Sequence, residues 1–195
     1  MAIEKDFFRQ VAGQFATGVT VVTTQWQGKP AGITVNAFSS VSLEPPLVLV
    51  CIDLISNTLP FIRESGAFAI NILTNEQEHL SRCFATASEE RFENFCHASF
   101  HTAATGSPII DDVLAFIDTR IVAEYPGGDH VIFLGEVMAM GTEGHIAFAR
   151  EADEANATLI EDQSSGTAEA KDPLAYYRGK YRHLECNYLK PSLAK

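Results

Sequence analysis

Residues 47 to 52, Leu47-Val48-Leu49-Val50-Cys51-Ile52, form an unbroken apolar run. Such a run predicts a strand buried on both faces. The stretch before it alternates instead. Ile33, Val35, Ala37, Val41 and Leu43 are apolar, while Thr34, Asn36, Ser40 and Ser42 are small and polar. A period of two predicts a strand with one polar face. The parity fails at Phe38-Ser39, so a bend or bulge is predicted there. Pro45-Pro46 separates the two strands.

Ile3, Phe7, Phe8, Val11, Ala12 and Phe15 recur at helical spacing and predict an amphipathic helix over residues 3 to 16. Residues 19 to 24 are all Val or Thr, which predicts a strand. Ser56, Asn57 and Thr58 offer caps for a short helix that tolerates Pro60 early and stops at Gly66. Residues 68 to 73 read as a further strand. Asn75 with Glu78 resembles a capping box for a helix through about Phe84, and Ser88 starts one more short helix. Strands over 114 to 124 and 129 to 140 flank Pro126-Gly127-Gly128, a hairpin signal. Residues 146 to 161 read as weakly helical, and residues 173 to 181 as a closing strand and turn. About seven strands with few helices between them favour an antiparallel barrel with attached helices over a doubly wound parallel sheet. One domain accounts for residues 1 to 195.

Charge narrows the function classes. The net charge of −11 argues against nucleic-acid binding. Much of it lies in residues 143 to 172, where eight acids face Arg150 and Lys171. No apolar run reaches about 18 residues, so no membrane partner is expected. Residues 1 to 6 lack a basic start and an apolar run, which points to a cytoplasmic protein. The scattered Cys51, Cys83, Cys96 and Cys186 are then expected as small core residues rather than disulfide partners. Cys96-His97 with His101 lacks a second matched pair, so no metal site is expected.

The chain has no G-x-G-x-x-G after a strand, no P-loop, no G-x-S-x-G and no H-E-x-x-H. What remains is the polar row at Thr34, Asn36, Ser40 and Ser42. Two readings stand. It is the wet face of an antiparallel strand, or it lines a pocket for a planar heterocycle with a phosphate tail.

Two stretches carry a resemblance: Ala16-Thr17-Gly18 through Thr24, and Gly32-Ile33-Thr34-Val35-Asn36-Ala37-Phe38-Ser39-Ser40 through Val48. Residues 65 to 73, Gly106-Ser107-Pro108, Gly128-Asp129-His130 and Tyr176-Tyr177-Arg178-Gly179-Lys180-Tyr181 follow in order. Together they resemble the flavin reductase-like family, FMN-binding antiparallel split β-barrels that include reductase components of two-component flavin monooxygenases.

The resemblance implies a flavin, FMN or FAD, against Gly32, Ile33, Thr34, Asn36 and Ala37, with Cys51, Ile52 and Asp53 from the next strand end. It places the phosphate near Asn57 and Thr58, with Cys83 and Phe84 on that side and Arg82 as a counter-charge. Plain helix capping is the other reading of Asn57 and Thr58, and the two can hold at once. NADH or NADPH would meet His130, Tyr176, Tyr177, Arg178 and Gly179. His130 also reads as a hairpin-turn residue, and no side chain is assigned a certain catalytic role.

The implied activity is NAD(P)H-dependent flavin reduction, supplying a separate monooxygenase, in a homodimer. The alternative is a flavin-retaining electron carrier or a non-catalytic FMN-binding protein of the same fold. Residues 141 to 172 depart from the family as a longer, acidic link. They read as a cover for the nicotinamide site, a determinant of NADH or NADPH preference, a contact for a partner, or a solvated surface insertion.

Overall fold

A computed structural model describes residues 3–142, 144–149 and 171–184. Helix α1 (Lys5–Ala12) opens the chain, and a two-residue strand β1 (Thr17–Gly18) follows it. Five strands come next in the main sheet or lead into it: β2 (Thr20–Trp26), β3 (Lys29–Val35), β4 (Phe38–Leu43), β5 (Pro46–Asp53) and, after helix α2 (Leu59–Ser65), β6 (Ala67–Ile72). A 3-10 turn over Asn75–Gln77 leads into α3 (Glu78–Ala85), then α4 (Glu89–Asn94). The short pair β7 (Phe100–Thr102) and β8 (Pro108–Ile110) precedes the long strands β9 (Ala115–Gly127) and β10 (His130–Thr142). Strand β11 (His145–Phe148) returns along β10, and β12 (Leu174–Tyr177) with β13 (Lys180–His183) forms a last hairpin.

The main sheet runs β3-β2-β6-β9-β10-β5-β4, with every pairing antiparallel. Its two end strands, β3 and β4, are consecutive in sequence and separated only by Asn36 and Ala37. A link of this length spans about 11 Å at most. The sheet must therefore curl until its edges meet at that corner, where the Cys51 N–H donates to the Ala37 carbonyl, 3.1 Å away, and carries the β4–β5 ladder into the link. The enclosed core holds Val22, Val35, Val50, Ile52, Phe68, Ile70, Val131 and Phe133. Gly135 leaves room there, since a Cβ would lie 2.9 Å from the Phe68 ring.

The predicted bend moves. The break falls at Asn36-Ala37, where pairing passes from β2 to β5, and a separate bulge falls between Ser40 and Ser42. Phe38 packs on the same interior as Val35, three positions earlier, so the parity flips across the link. The polar row is therefore not one strand face but parts of two strands. The apolar run 47 to 52 is also buried differently from expectation. Val48, Val50 and Ile52 face the core, while Leu47, Leu49 and Cys51 are half-buried on the outside.

Other boundaries shift for local reasons. The first helix covers only Lys5–Ala12, and its apolar residues Phe7, Phe8 and Val11 are exposed. The capping box is built by Thr74 and Gln77, one residue earlier than the Asn75–Glu78 reading. Gly66 closes α2 in the left-handed conformation, as the stop signal predicts. Residues 145 to 148 are a strand, not helix; residues 150 to 161 of the predicted helix lie outside the described residues. The sequence reading also missed β7 and β8, which are only three residues each.

A second layer covers the outer face of β2 and β6. Val21, Leu73, Leu80, Phe84, Phe95, Cys96, Ile110 and Leu174 pack there. Cys83 and Cys96 form a disulfide, with Cα atoms 6.0 Å apart. This corrects the expectation of free core thiols. The chain folds back after α4, and Phe95, Cys96 and His97 take left-handed φ of 48°, 54° and 53°. That turn brings residues 13 apart in sequence within bridging distance.

Candidate functional site

Gly32, in β3, is the best-defined of the expected site residues. Its carbonyl accepts from the Thr58 hydroxyl at 3.1 Å and from Arg91 Nε at 2.8 Å. In an antiparallel pair alternate residues turn both backbone groups to the same side. Gly32 turns away from β2, so Thr34, two residues on, shares that outward edge. A side chain at position 32 has no room, because its Cβ would sit 2.8 Å from the Phe84 ring.

Thr34 donates its hydroxyl to the Ser81 carbonyl of α3, 2.7 Å away. The Ser81 hydroxyl in turn meets the Tyr181 hydroxyl at 2.8 Å. Ser81 thus ties β3 to the β12–β13 hairpin through one residue. Tyr181 stacks edge-on with Tyr176 at 5.5 Å. Tyr177 and Arg178 sit at the hairpin tip, the guanidinium 5.1 Å from the Tyr177 ring centre. Arg178 and Gly179 both have positive φ, the tight-turn backbone that favours Gly at 179. Arg178 Nε and Nη2 also donate to the Gln14 side-chain oxygen, which fixes the tip against the end of α1.

A second group gathers at one end of β5 and β10. Asn36 and Ala37 are exposed in the link, and Ala37 is bonded to Cys51. Asp53 lies directly across from His130 in the β5–β10 ladder. Asp53 Oδ1 accepts from the Ile55 N–H at 3.0 Å and shapes the loop that leads to Asn57. His130 Nδ1 lies 2.7 Å from Asp129 Oδ1, and this contact lowers the Asp129 pKa. Burial raises the pKa of the Cys51 thiol, so it stays protonated at neutral pH.

Not every expected residue presents its side chain. Ile52 and Phe84 have no exposed surface, and Ile33 packs on the barrel core. Thr58 is 1% exposed. Cys83 is held in the disulfide. Asn57, beside Thr58, is exposed. Arg82, the expected counter-charge, is committed elsewhere: it pairs with Glu78 at 2.5 Å and lies over the Tyr181 ring at 4.7 Å.

The sequence reading missed Arg91 altogether. It sits in Ser88-Glu89-Glu90-Arg91-Phe92, which reads as a charged surface helix. In the structure it is 6% exposed and bonded to Gly32 and Thr58. Nothing in the local pattern signals that burial.

A family model described as a flavin reductase like domain matches residues 12–185. The chain belongs to the flavin reductase-like family. HsaB of Mycobacterium tuberculosis, the reductase subunit of a flavin-dependent monooxygenase, is 33% identical over 190 residues, covering 97% of this chain and 88% of that protein. The solved structure of the flavin reductase PheA2 superposes with a TM-score of 0.72 at 36% identity, covering 93% of this chain and 99% of that one. SgcE6 of Streptomyces globisporus C-1027, an NADH:FAD oxidoreductase solved with NAD and FAD fragments, gives a TM-score of 0.74 at 29% identity and covers 95% of each chain. The flavin reductase-like assignment spans the curled sheet, the outer layer and the β12–β13 hairpin together.

Proposed function

We propose that this chain is an NAD(P)H:flavin oxidoreductase that reduces FMN or FAD and supplies the reduced flavin to a separate monooxygenase. The carrying observation is the flavin reductase-like match over residues 12–185, which includes both groups of candidate site residues. The residues present suit a flavin. The outward edge of β3 offers the Gly32 N–H and the backbone groups of Thr34 to a planar amide edge, and the exposed Asn36-Ala37 corner lies beside it.

Bound flavin supplies the redox chemistry, hydride acceptance at N5 from nicotinamide C4. The chain's own part is positioning. Gly32 and Thr34 orient the ring edge through main-chain groups. Thr34 spends its hydroxyl on Ser81 and so fixes α3 beside that edge. Asn57 faces solvent at the phosphate end. Arg178, braced by Gln14, presents a cation to the pyrophosphate of NADH or NADPH. His130 is held by Asp129 at the nicotinamide side.

A homodimer fits the apolar surface that one copy leaves open. Phe7, Phe8 and Val11 on α1, together with Leu43, Leu54 and Ile55, are exposed. No helix among the described residues is long and apolar enough to cross a membrane. We place the protein in the cytoplasm, meeting its monooxygenase by diffusion of reduced flavin rather than in a lasting complex. Residues 141 to 172 belong to the same single domain in this reading, as an acidic insertion.

The test is a visible spectrum of the purified protein and a 340 nm assay with NADH or NADPH plus FMN, FAD or riboflavin. Oxidation that rises with added free flavin is expected. Absence of turnover under every combination overturns the assignment.

A further inference from the structure

Cys83 and Cys96 join two elements that grip the same strand. From α3, the Phe84 ring lies against Gly32, and the Ser81 carbonyl accepts from the Thr34 hydroxyl at 2.7 Å. From α4, Arg91 Nε donates to the Gly32 carbonyl at 2.8 Å. The disulfide closes this grip behind β3, linking the last turn of α3 to the turn that ends α4.

The turn after α4 is held against its own preference. Phe95, Cys96 and His97 take left-handed φ of 48°, 54° and 53°, and none is glycine. A Cβ crowds the backbone in that region, so such a run needs an outside constraint. Phe95 meets Phe84 edge-on at 5.0 Å and Phe100 at 5.2 Å. Movement of the turn therefore reaches Gly32 through the Phe95 and Phe84 rings.

The compartment bears on what this bond does. In the cytoplasm proposed above, thiol buffers keep most cysteines reduced, and a disulfide there is characteristically redox-sensing or catalytic. The pair is not a C-x-x-C, and Cys96 is only 6% exposed, which does not suit a thiol that turns over. Cys83 is half-buried and is the sulfur that an incoming thiolate reaches.

We propose that Cys83–Cys96 is a reversible redox switch: a dithiol opens it, α3 and the turn after α4 part, and the β3 edge loses its hold on flavin. A thiolate of the dithiol attacks Cys83 Sγ, the bond to Cys96 breaks, and Cys96 leaves as a thiolate that takes up a proton. The second thiol of the reductant then attacks the sulfur bonded to Cys83 and releases Cys83, which is protonated in turn. The products are two cysteine thiols and one oxidised dithiol. The same exchange run backwards restores the bridge. The effect on flavin rests on the reading above; the opening of the bridge does not.

The test titrates the full chain with a reduced and oxidised dithiothreitol couple under native conditions, with and without saturating FMN. Alkylation mapped to Cys83 and Cys96 reads the bridge, and quenching of flavin fluorescence reads affinity. Reduction is expected to weaken binding of FMN and riboflavin alike by about tenfold, because the ring edge is what loosens. Linkage then requires FMN to raise the dithiol-to-disulfide ratio at half-reduction by the same factor of about ten. Cys83→Ser with Cys96→Ser should bind flavin like the reduced wild type and ignore the couple. Should that variant fail to fold, the wild-type titration decides alone.

A bridge that resists the dithiol until the chain unfolds overturns the switch and leaves a structural cross-link. A bridge that opens with no change in flavin affinity, and titrates alike with and without FMN, also overturns it while leaving the reductase reading intact. An oxidised protein that binds no flavin removes the reading beneath instead, and hydrogen exchange then judges the switch: reduction that leaves residues 29 to 35 as protected as before overturns it.

Discussion

The interior of the curled sheet and the layer outside it are held together by different means. Inside, Val22, Val50, Ile52, Phe68, Ile70 and Phe133 make an apolar core with no exposed surface. Outside, rings share the space with polar groups that all need partners. Asn71 donates to the Val21 carbonyl and the Thr23 hydroxyl and accepts from the Ile110 N–H. Asp118 accepts from the Thr105 N–H at 2.8 Å and from its hydroxyl. The Cys83–Cys96 bond ties α3 to the turn after α4. Burial by itself shapes the first region, whereas the second depends on individual bonds that can be cut one at a time. The candidate site lies where they meet, since Gly32 belongs to the sheet and Phe84 and Arg91 to the layer.

Cutting the disulfide should give the largest separation between the two. Cys83→Ser with Cys96→Ser removes a cross-link over a loop of about 14 residues, worth about 3 kcal/mol in the chain-entropy account. Urea unfolding should show that loss. Hydrogen exchange should speed up mainly from residue 83 to 102. Equal acceleration at Val50 and Phe133 would mean that the two regions unfold as one.

Acid-base behaviour sharpens the comparison next. Burial raises the Asp118 carboxyl from 3.8 to about 6, against the pull of its hydrogen bonds to Thr105. The folded state therefore holds this proton more tightly than the unfolded chain. Asp118 favours the fold at acid pH, and its ionisation costs stability progressively as pH rises from about 4 to about 6, by about 3 kcal/mol. Asp118→Asn should flatten the stability profile across that window. A profile of unchanged slope would place the titration elsewhere.

The smallest effect is expected at the seam. Gly32→Ala puts a methyl 2.8 Å from the Phe84 ring. Overpacking of this kind costs about 1–2 kcal/mol. Phe84→Leu in the same chain should relieve part of it. Additive losses in the double variant would show that the ring and the strand do not press on each other.

Much of the sheet was legible because its residues obey a period. Strand β2 is nearly all Val and Thr, and the β9–β10 hairpin follows its Pro-Gly-Gly signal. The curl was not legible as such. It depends on β3 and β4 having different partners, and a one-dimensional alternation cannot say which strand lies alongside. The same limit moved the predicted bend from Phe38-Ser39 to Asn36-Ala37. The one-sided burial of β5 was hidden because the outer face is also apolar. The disulfide escaped notice because it needs three successive left-handed residues, Phe95 to His97, none of them glycine. For the candidate site, the β3 stretch and the Tyr176–Gly179 tip were visible as motifs. Arg91 was not, since a charged residue flanked by Glu89, Glu90 and Glu93 has every local sign of facing water.

The two-residue link also sets where this chain will accept added length. At Gln27-Gly28 a tight turn joins β2 to β3, strands already paired along seven positions, so a peptide tag spliced there leaves their register to the ladder. At Asn36-Ala37 no ladder joins the strands on either side; the short tether itself keeps opposite margins of the sheet together. The same tag placed there would lengthen the clasp and let the seam gape. Labels, affinity handles and split-protein junctions therefore belong at residues 27 and 28, and an insertion scan should record residues 36 and 37 as a gap in tolerance.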